Sequence, residues 1–351
     1  MAKTRVTMMD VARSLGVDHS TVSLALRCDP RIPEQTRNRV RQAAQKLNYM
    51  PNQIARTLSG GRSRVIGVML PDMRNQFFVP HLEEIQAAAE RSDLSVSVKF
   101  SNWDLEREDR GLMQFCASRV DGIIWAPILR SEDSMAGMLR KAESAGAKLV
   151  LLGGMNMGLK LNRVRCSSLE ATRVAVDYLV KLGHRRVGVA GAISMDGNRG
   201  DHHRIRVQDM RDSLANAGRP VREEDVFVTA DDLCGGVEIA GQIARRARAD
   251  RPSIVFAADD MLAREMIAGF AVTGVNVPND ISVLGYDDAP GDAAGPVALT
   301  SVSLRGRDVG RAAGQLLVDL VENGTPADSP QLVKIQPEIV ERASCIPWRG
   351  A

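Results

Sequence analysis

The stretch Thr7-Met-Met-Asp-Val-Ala-Arg-Ser-Leu-Gly-Val-Asp-His-Ser-Thr-Val-Ser-Leu-Ala-Leu26 decides how this 351-residue chain is read. Thr7, with Asp10 three residues on, resembles a capping box that opens a helix, Asp standing in for the usual Glu. Ala12 is small enough for a second helix to lie across it, and Gly16 takes a left-handed turn conformation at no steric cost. Asp18 then caps a second helix. Val22 and Leu26 face inward from it, while His19, Ser20 and Ser23 point outward from its first turns. Two short helices joined by a tight Gly-containing turn form a helix-turn-helix, and the second is the right size for the DNA major groove. An ordinary helical hairpin does not account for Ala, Gly and Val falling together where such a motif constrains them.

A third helix is expected from about Pro33 to Leu47, with Val40, Ala43, Ala44 and Leu47 in one apolar stripe. The segment Leu47-Asn-Tyr-Met-Pro-Asn-Gln-Ile-Ala-Arg-Thr-Leu58 follows. Pro51 stops the third helix, Asn52 caps a short one, and Ser59-Gly60-Gly61 makes a flexible joint. The expected division is a helix-turn-helix domain at 1–50, a hinge helix and linker at 51–63, and a body at 64–351.

Charge follows the same division. Residues 1–64 hold twelve Lys and Arg against four acids, a net +8, whereas the whole chain carries +3, leaving −5 on the remainder. A basic head on an acidic body is the electrostatic footprint of a nucleic-acid binder. Hydrophobic content of 44% with 25% charged residues is that of a soluble globular protein. No apolar run approaches the ~20 residues of a membrane helix, and the N-terminus lacks a signal-peptide pattern. The five cysteines are scattered, with no CxxC, which speaks against a disulfide framework and a zinc site. A cytoplasmic protein without metal or cofactor is expected.

From Arg64 the pattern becomes β-strand and α-helix in alternation. Buried-strand runs at 65–70, 94–100, 122–126 and 148–152 are separated by helical stretches. A second set has strands near 186–190, 225–229, 253–257 and 281–285. Strands without polar alternation imply parallel sheets covered on both faces, so the body is α/β with two doubly wound lobes. Ligands of such folds bind beyond the carboxyl ends of the strands, here in a cleft between the lobes.

These motifs together resemble the LacI/GalR family of transcriptional regulators. The likeness rests on Val6-Thr-Met-Met-Asp-Val-Ala, Gly16-Val17 with Thr21-Val22-Ser23, Thr36-Arg37, Leu47-Asn-Tyr-Met-Pro-Asn and Ala55-Arg56-Thr57-Leu58. In the body it rests on Ile66-Gly67-Val68, Asn75-Gln-Phe-Phe78, Val120-Asp121-Gly122, Leu182-Gly-His-Arg185 and Ile281-Ser-Val-Leu-Gly-Tyr-Asp-Asp288. The resemblance implies a body of the periplasmic-binding-protein type, its chain crossing between lobes near 163–167, 291–297 and 324–331. It also implies DNA contact by Thr7, His19, Ser20, Thr21, Ser23 and Leu24, of which His19, Ser20 and Leu24 read bases. Leu24 replaces a polar residue and suits a thymine methyl. The resemblance likewise implies DNA contact by Asn52, Ala55, Arg56 and Leu58 of the hinge, where Ala55 and Leu58 enter the minor groove and Leu58 acts as a wedge.

In the body the resemblance assigns ligand binding to Asn75, Phe77, Phe78, Arg204, Asp259 and Asp287. Of the two phenylalanines, one is expected in the pocket and one in the core. Arg204 and Asp287 facing each other suit hydroxyl-rich ligands, since each hydrogen-bonds neighbouring oxygens. Gly153-Gly154 stands where relatives carry Asp, Ala258 replaces an Asn, and Asp209 a Gly, so an ordinary monosaccharide is in doubt. The expectation is a repressor controlled by a carbohydrate-related effector, acting as a homodimer on a pseudo-palindromic operator. The competing readings are a solute-binding protein of transport type, against which the basic head counts, and a sugar-processing enzyme using the acid pairs Asp259-Asp260 and Asp287-Asp288.

Overall fold

The computed structural model describes residues 6–26, 29–49, 62–153, 161–192, 198–230, 234–291, 293–324 and 330–349. The hinge residues Asn52, Ala55, Arg56 and Leu58 lie outside these. The chain divides into two compact units, Met1–Ser63 and Arg64–Ala351.

In the first unit, α1 (Met8–Leu15) starts at a complete capping box: the Thr7 N–H donates to the Asp10 carboxylate at 2.9 Å and the Asp10 N–H to the Thr7 hydroxyl at 3.4 Å. Gly16 ends it in the left-handed region, at φ 65°. The Asp18 carboxylate then accepts the Ser20 N–H at 2.8 Å, capping α2 (His19–Leu26). Pro33 precedes α3 (Glu34–Lys46) as its N-cap, one residue outside the first turn expected for it. Val11, Ala12, Val22, Ala25, Val40 and Ala44 form the buried core where the three helices meet. Ala25 is fully buried, and Leu26 packs only partly against this core.

The second unit opens with β1 (Val65–Leu70), α4 (Phe78–Arg91), β2 (Ser95–Phe100), α5 (Leu105–Ala117), β3 (Gly122–Trp125), α6 (Glu132–Ser144), β4 (Lys148–Leu152) and β5 (Arg163–Cys166). It continues with α7 (Ser168–Lys181), β6 (Val187–Ala192), α8 (Asn198–Asn216), β7 (Val226–Thr229) and α9 (Gly235–Ala244). Then come β8 (Ile254–Ala257), α10 (Asp260–Val272), β9 (Ser282–Asp287), β10 (Thr300–Ser303), α11 (Gly306–Asn323), β11 (Leu332–Ile335) and β12 (Glu338–Val340). Side-chain oxygens of Asp104, Ser131, Ser167 and Asp259 cap α5, α6, α7 and α10, so short polar residues set where these helices begin.

Two six-stranded sheets result, ordered β11-β5-β4-β3-β1-β2 and β12-β10-β9-β8-β6-β7. Neighbours are parallel except β10 with β12. This is the doubly wound, two-lobed body expected from the strand pattern. The chain leaves the first sheet at Cys166–Ser168. It returns at Leu304–Arg305, because β10 still belongs to the second sheet while α11 packs on β3, β4 and α4 of the first. It crosses a third time at 336–337, between β11 and β12. The second and third crossings therefore replace those expected at 291–297 and 324–331.

Helix α11 joins the first lobe through glycines four residues apart. A Cβ on Gly310 would lie 2.5 Å from the His81 carbonyl oxygen, and one on Gly314 2.8 Å from the Ala88 Cβ. Absence of side chains there lets α11 and α4 approach closely, while Leu316, Leu317 and Leu320 bury on the sheet side. No helix among the described residues is long and apolar enough to cross a membrane.

Candidate functional site

On the first unit, α2 presents His19 and Ser20 to solvent, with Thr21, Ser23 and Leu24 half-buried beside them. The outward turn carries no Lys or Arg, and the Ser20 hydroxyl is turned toward Asp18 at 2.6 Å. Thr7 is exposed at the start of α1, its hydroxyl donating to Asp10 at 2.7 Å. The basic residues lie around this helix rather than on it: Arg13, Arg39 and Arg41 are exposed on α1 and α3.

In the second unit, a cavity of about 470 Å³ lies beyond the carboxyl ends of both sheets. Pro71 follows β1, Ala126 follows β3, Gly153 follows β4 and Ser167 follows β5, while Asp259, Asp287 and Leu304 mark the ends of β8, β9 and β10. This is where a doubly wound sheet leaves room for a ligand.

Five of the six expected pocket residues line the cavity: Asn75, Phe77, Phe78, Asp259 and Asp287. The Asn75 carboxamide oxygen accepts the Phe77 N–H at 2.9 Å, turning the chain into α4. The Phe77 and Phe78 rings meet edge to face at 5.0 Å, and Phe77 meets His81 at 4.6 Å. Both phenylalanines line the cavity and both also pack on cores, Phe78 on the first lobe's and Phe77 on the second's. The expected split between pocket and core is therefore not seen. The His81 ring donates through Nδ1 to the Phe77 carbonyl at 2.9 Å, and burial pushes its pKa down to about 4.

Arg204 is the exception. Its side chain is 55% exposed and pairs with Asp201 on the same turn. The arginine that α8 turns into the cavity is Arg206, two residues on. Its guanidinium lies 4.2 Å from the centre of the buried Tyr286 ring, donates to the Ala258 carbonyl at 2.6 Å, and stands 3.4 Å from the Asp287 carboxylate. The reason is helical geometry: α8 advances about 100° per residue, so positions two apart point to nearly opposite faces. His203, Val207, Met210 and Leu214 are the buried stripe of α8, and Arg206 borders it while Arg204 does not. That stripe was the available signal in the sequence.

His202 and His203, in the second turn of α8, also line the cavity. The Ala192 N–H donates to His203 Nδ1 at 2.9 Å, and the ring's Nε2 faces the Asp259 carboxylate at 3.1 Å. Asp259 also caps α10 through the Leu262 N–H at 2.7 Å. Burial pushes the His202 pKa down to about 4, and its ring meets Trp103 edge-on at 5.1 Å. Trp103, on the first lobe, holds a left-handed backbone at φ 63°. His81, Trp103, Arg165 and Tyr286 are further lining residues that the sequence reading missed.

Each acid pair divides its labour. Asp259 and Asp287 line the cavity, whereas Asp260 accepts the Ala289 N–H at 2.8 Å and the Ser301 hydroxyl at 2.6 Å, and Asp288 binds Arg342 at 2.6 Å. The second member of each pair thus holds backbone and strand ends together, and neither pair is arranged as two carboxylates facing one substrate.

Comparison with known proteins agrees with this architecture. The description "Bacterial regulatory proteins, lacI family" matches residues 7–52, and "Periplasmic binding protein-like domain" matches residues 176–345. The transcriptional regulator DegA of Bacillus subtilis (strain 168) is 27% identical over 98% of this chain and 99% of its own. The fold resembles the lac repressor dimer bound to operator and the anti-inducer ONPF, with TM-score 0.81, 22% identity, and coverage of 98% of this chain and 100% of that one. It also resembles the transcriptional regulator CelR–cellobiose complex, with TM-score 0.66, 24% identity, and coverage of 97% and 100%. The head thus matches the lacI family of bacterial regulatory proteins and the body a periplasmic binding protein-like domain, and over nearly its whole length the chain is similar to LacI-family transcriptional regulators.

Proposed function

We propose that the protein is a homodimeric repressor that reads a pseudo-palindromic operator in the cytoplasm and responds to a carbohydrate-related molecule in the body cleft. The observation that carries this reading is the Arg206–Asp287 pair at the end of β9, in a cavity of about 470 Å³ walled by Phe77, Trp103 and Tyr286. An arginine fork beside a carboxylate hydrogen-bonds adjacent hydroxyls, and flat rings bury the apolar face of a sugar. In this reading His19, Ser20 and Leu24 contact bases, while Thr7, Thr21 and Ser23 hold the DNA backbone. Asn52, Ala55, Arg56 and Leu58 form the hinge. One recognition helix covers few base pairs, so useful affinity requires two copies about a two-fold axis. The lac repressor dimer on its operator and the CelR–cellobiose complex are similar proteins that support both halves of the reading.

The test begins by selecting a binding site from random duplexes with the full chain. The enriched duplex is then titrated with and without glucose, cellobiose, gluconate and glucose 6-phosphate. The expected result is a two-fold-symmetric site and a shift in affinity with at least one compound. Enrichment of no sequence would sink the operator reading, and an enriched site insensitive to all four compounds would count against the effector class.

A further inference from the structure

Charge is unevenly divided between the two walls of the body cleft. The wall on the second sheet carries Arg206, Asp259 and Asp287, and these are matched among themselves: Arg206 stands 3.4 Å from Asp287, and Asp259 meets His203 at 3.1 Å and the Leu262 N–H at 2.7 Å. The wall on the first sheet has, among the described residues, one charged side chain, Arg165, at the end of β5. Among the described residues no carboxylate lies at ion-pair distance from Arg165, and its Nε is buried with no hydrogen-bond partner. Gly153 beside it offers no side chain. The buried Glu108 is committed to Arg130 and to the Ile128 N–H, and does not line the cavity. Three residues past Arg165, α7 begins, and its first residues, Ser168 and Leu169, line the cleft too. The positive end of a 14-residue helix therefore adds to the guanidinium. On the facing wall, the Nε2 of His202 is also buried with no hydrogen-bond partner among the described residues.

A guanidinium partly withdrawn from water without a counter-charge is costly, and a bidentate anion is the group that best relieves it. We propose that the effector is an anion: a sugar acid or sugar phosphate whose carboxylate or phosphate meets Arg165 while its hydroxyls meet Arg206 and Asp287. This rests on the reading of the cleft as the effector site.

The experiment uses matched probes: glucose, gluconate and glucose 6-phosphate, and galactose, galacturonate and galactose 6-phosphate. Each is titrated into the full chain by thermal shift and by tryptophan fluorescence, to which Trp103 in the cavity contributes. At least one acid or phosphate is expected to bind about tenfold or more tighter than its neutral counterpart, the scale of one charge-assisted hydrogen-bonded pair. Whether the carboxylate or the phosphate member binds identifies the anion. Arg165→Met is expected to erase that preference, Arg165→Lys to keep part of it, and Arg206→Met to weaken acid and neutral members alike. Neutral sugars binding as tightly as acids, an undiminished preference in Arg165→Met, or binding by no acid or phosphate overturns the proposal. Binding untouched by both Arg165→Met and Arg206→Met overturns the cleft reading itself, which separates the two failures.

Discussion

Arg204 and Arg206 stand two positions apart on one helix, yet one lies in solvent against Asp201 and the other in the cleft against Asp287. Local sequence gives both the same charge and nearly the same neighbours; only the face that α8 turns to the sheet separates them. Arg206→Met is therefore expected to abolish the effector's influence on operator affinity while leaving effector-free operator binding near wild type. Arg204→Met should change neither, and paired operator titrations with and without effector decide it. If only Arg204→Met loses the response, the assignment of α8's inner face is wrong.

The two depressed histidines make a second prediction at this scale. Burial lowers His81 and His202 to about 4, below the ~6.5 of an exposed histidine. Between those values the unfolded chain binds more protons than the folded one, so stability is full above about pH 6.5 and falls as pH drops toward 4. The loss is on the order of a few kcal/mol for the two together. Urea denaturation at pH 7.5, 6 and 5 should show this decline, and His81→Leu should flatten it. An equal slope in that variant would remove His81 as a cause.

Among the elements, α2 and α11 are the informative pair. Val22 is fully buried in a core of six small and branched residues, so Val22→Asp places a charge where nothing can pair it. Operator binding should be lost while effector-induced stabilisation of the body persists, as a thermal-shift titration would report; loss of both would contradict the division into separate units. Gly310 carries the matching argument in the body. A Cβ there meets the His81 backbone, so Gly310→Val forces α11 off α4 and should cost about 1–3 kcal/mol or more in urea denaturation. An unchanged midpoint would mean the close approach is not needed.

For the whole molecule, the expectation is a dimer whose operator affinity depends on which lobe arrangement the effector favours. Such coupling is typically worth ~1–3 kcal/mol, or about 5–150-fold in affinity. Light scattering at micromolar concentration should report two chains; a stable monomer would contradict the two-fold operator model.

Much of this organisation was legible in local pattern. The capping box at Thr7–Asp10, the left-handed Gly16 and the Val22 core position are contacts between residues near in sequence, so residue type and spacing are enough to specify them. The strands of both sheets that run as apolar blocks were equally plain, because full burial on both faces leaves no polar alternation. The elements that escaped are those whose environment comes from distant chain. Thr300–Ser303 is polar in three of four residues and becomes a wholly buried strand because Ser344, Asp260 and β9 satisfy it from elsewhere. Helix α11 follows it in sequence but belongs to the other lobe, where α4 receives its glycines. The cleft was assembled in the same way: Arg206 rather than Arg204, Trp103 against His202, and Arg165 with no ion-pair partner among the described residues are decided by which surfaces the packed lobes bring together, since charge and shape at one position say nothing of what will face it.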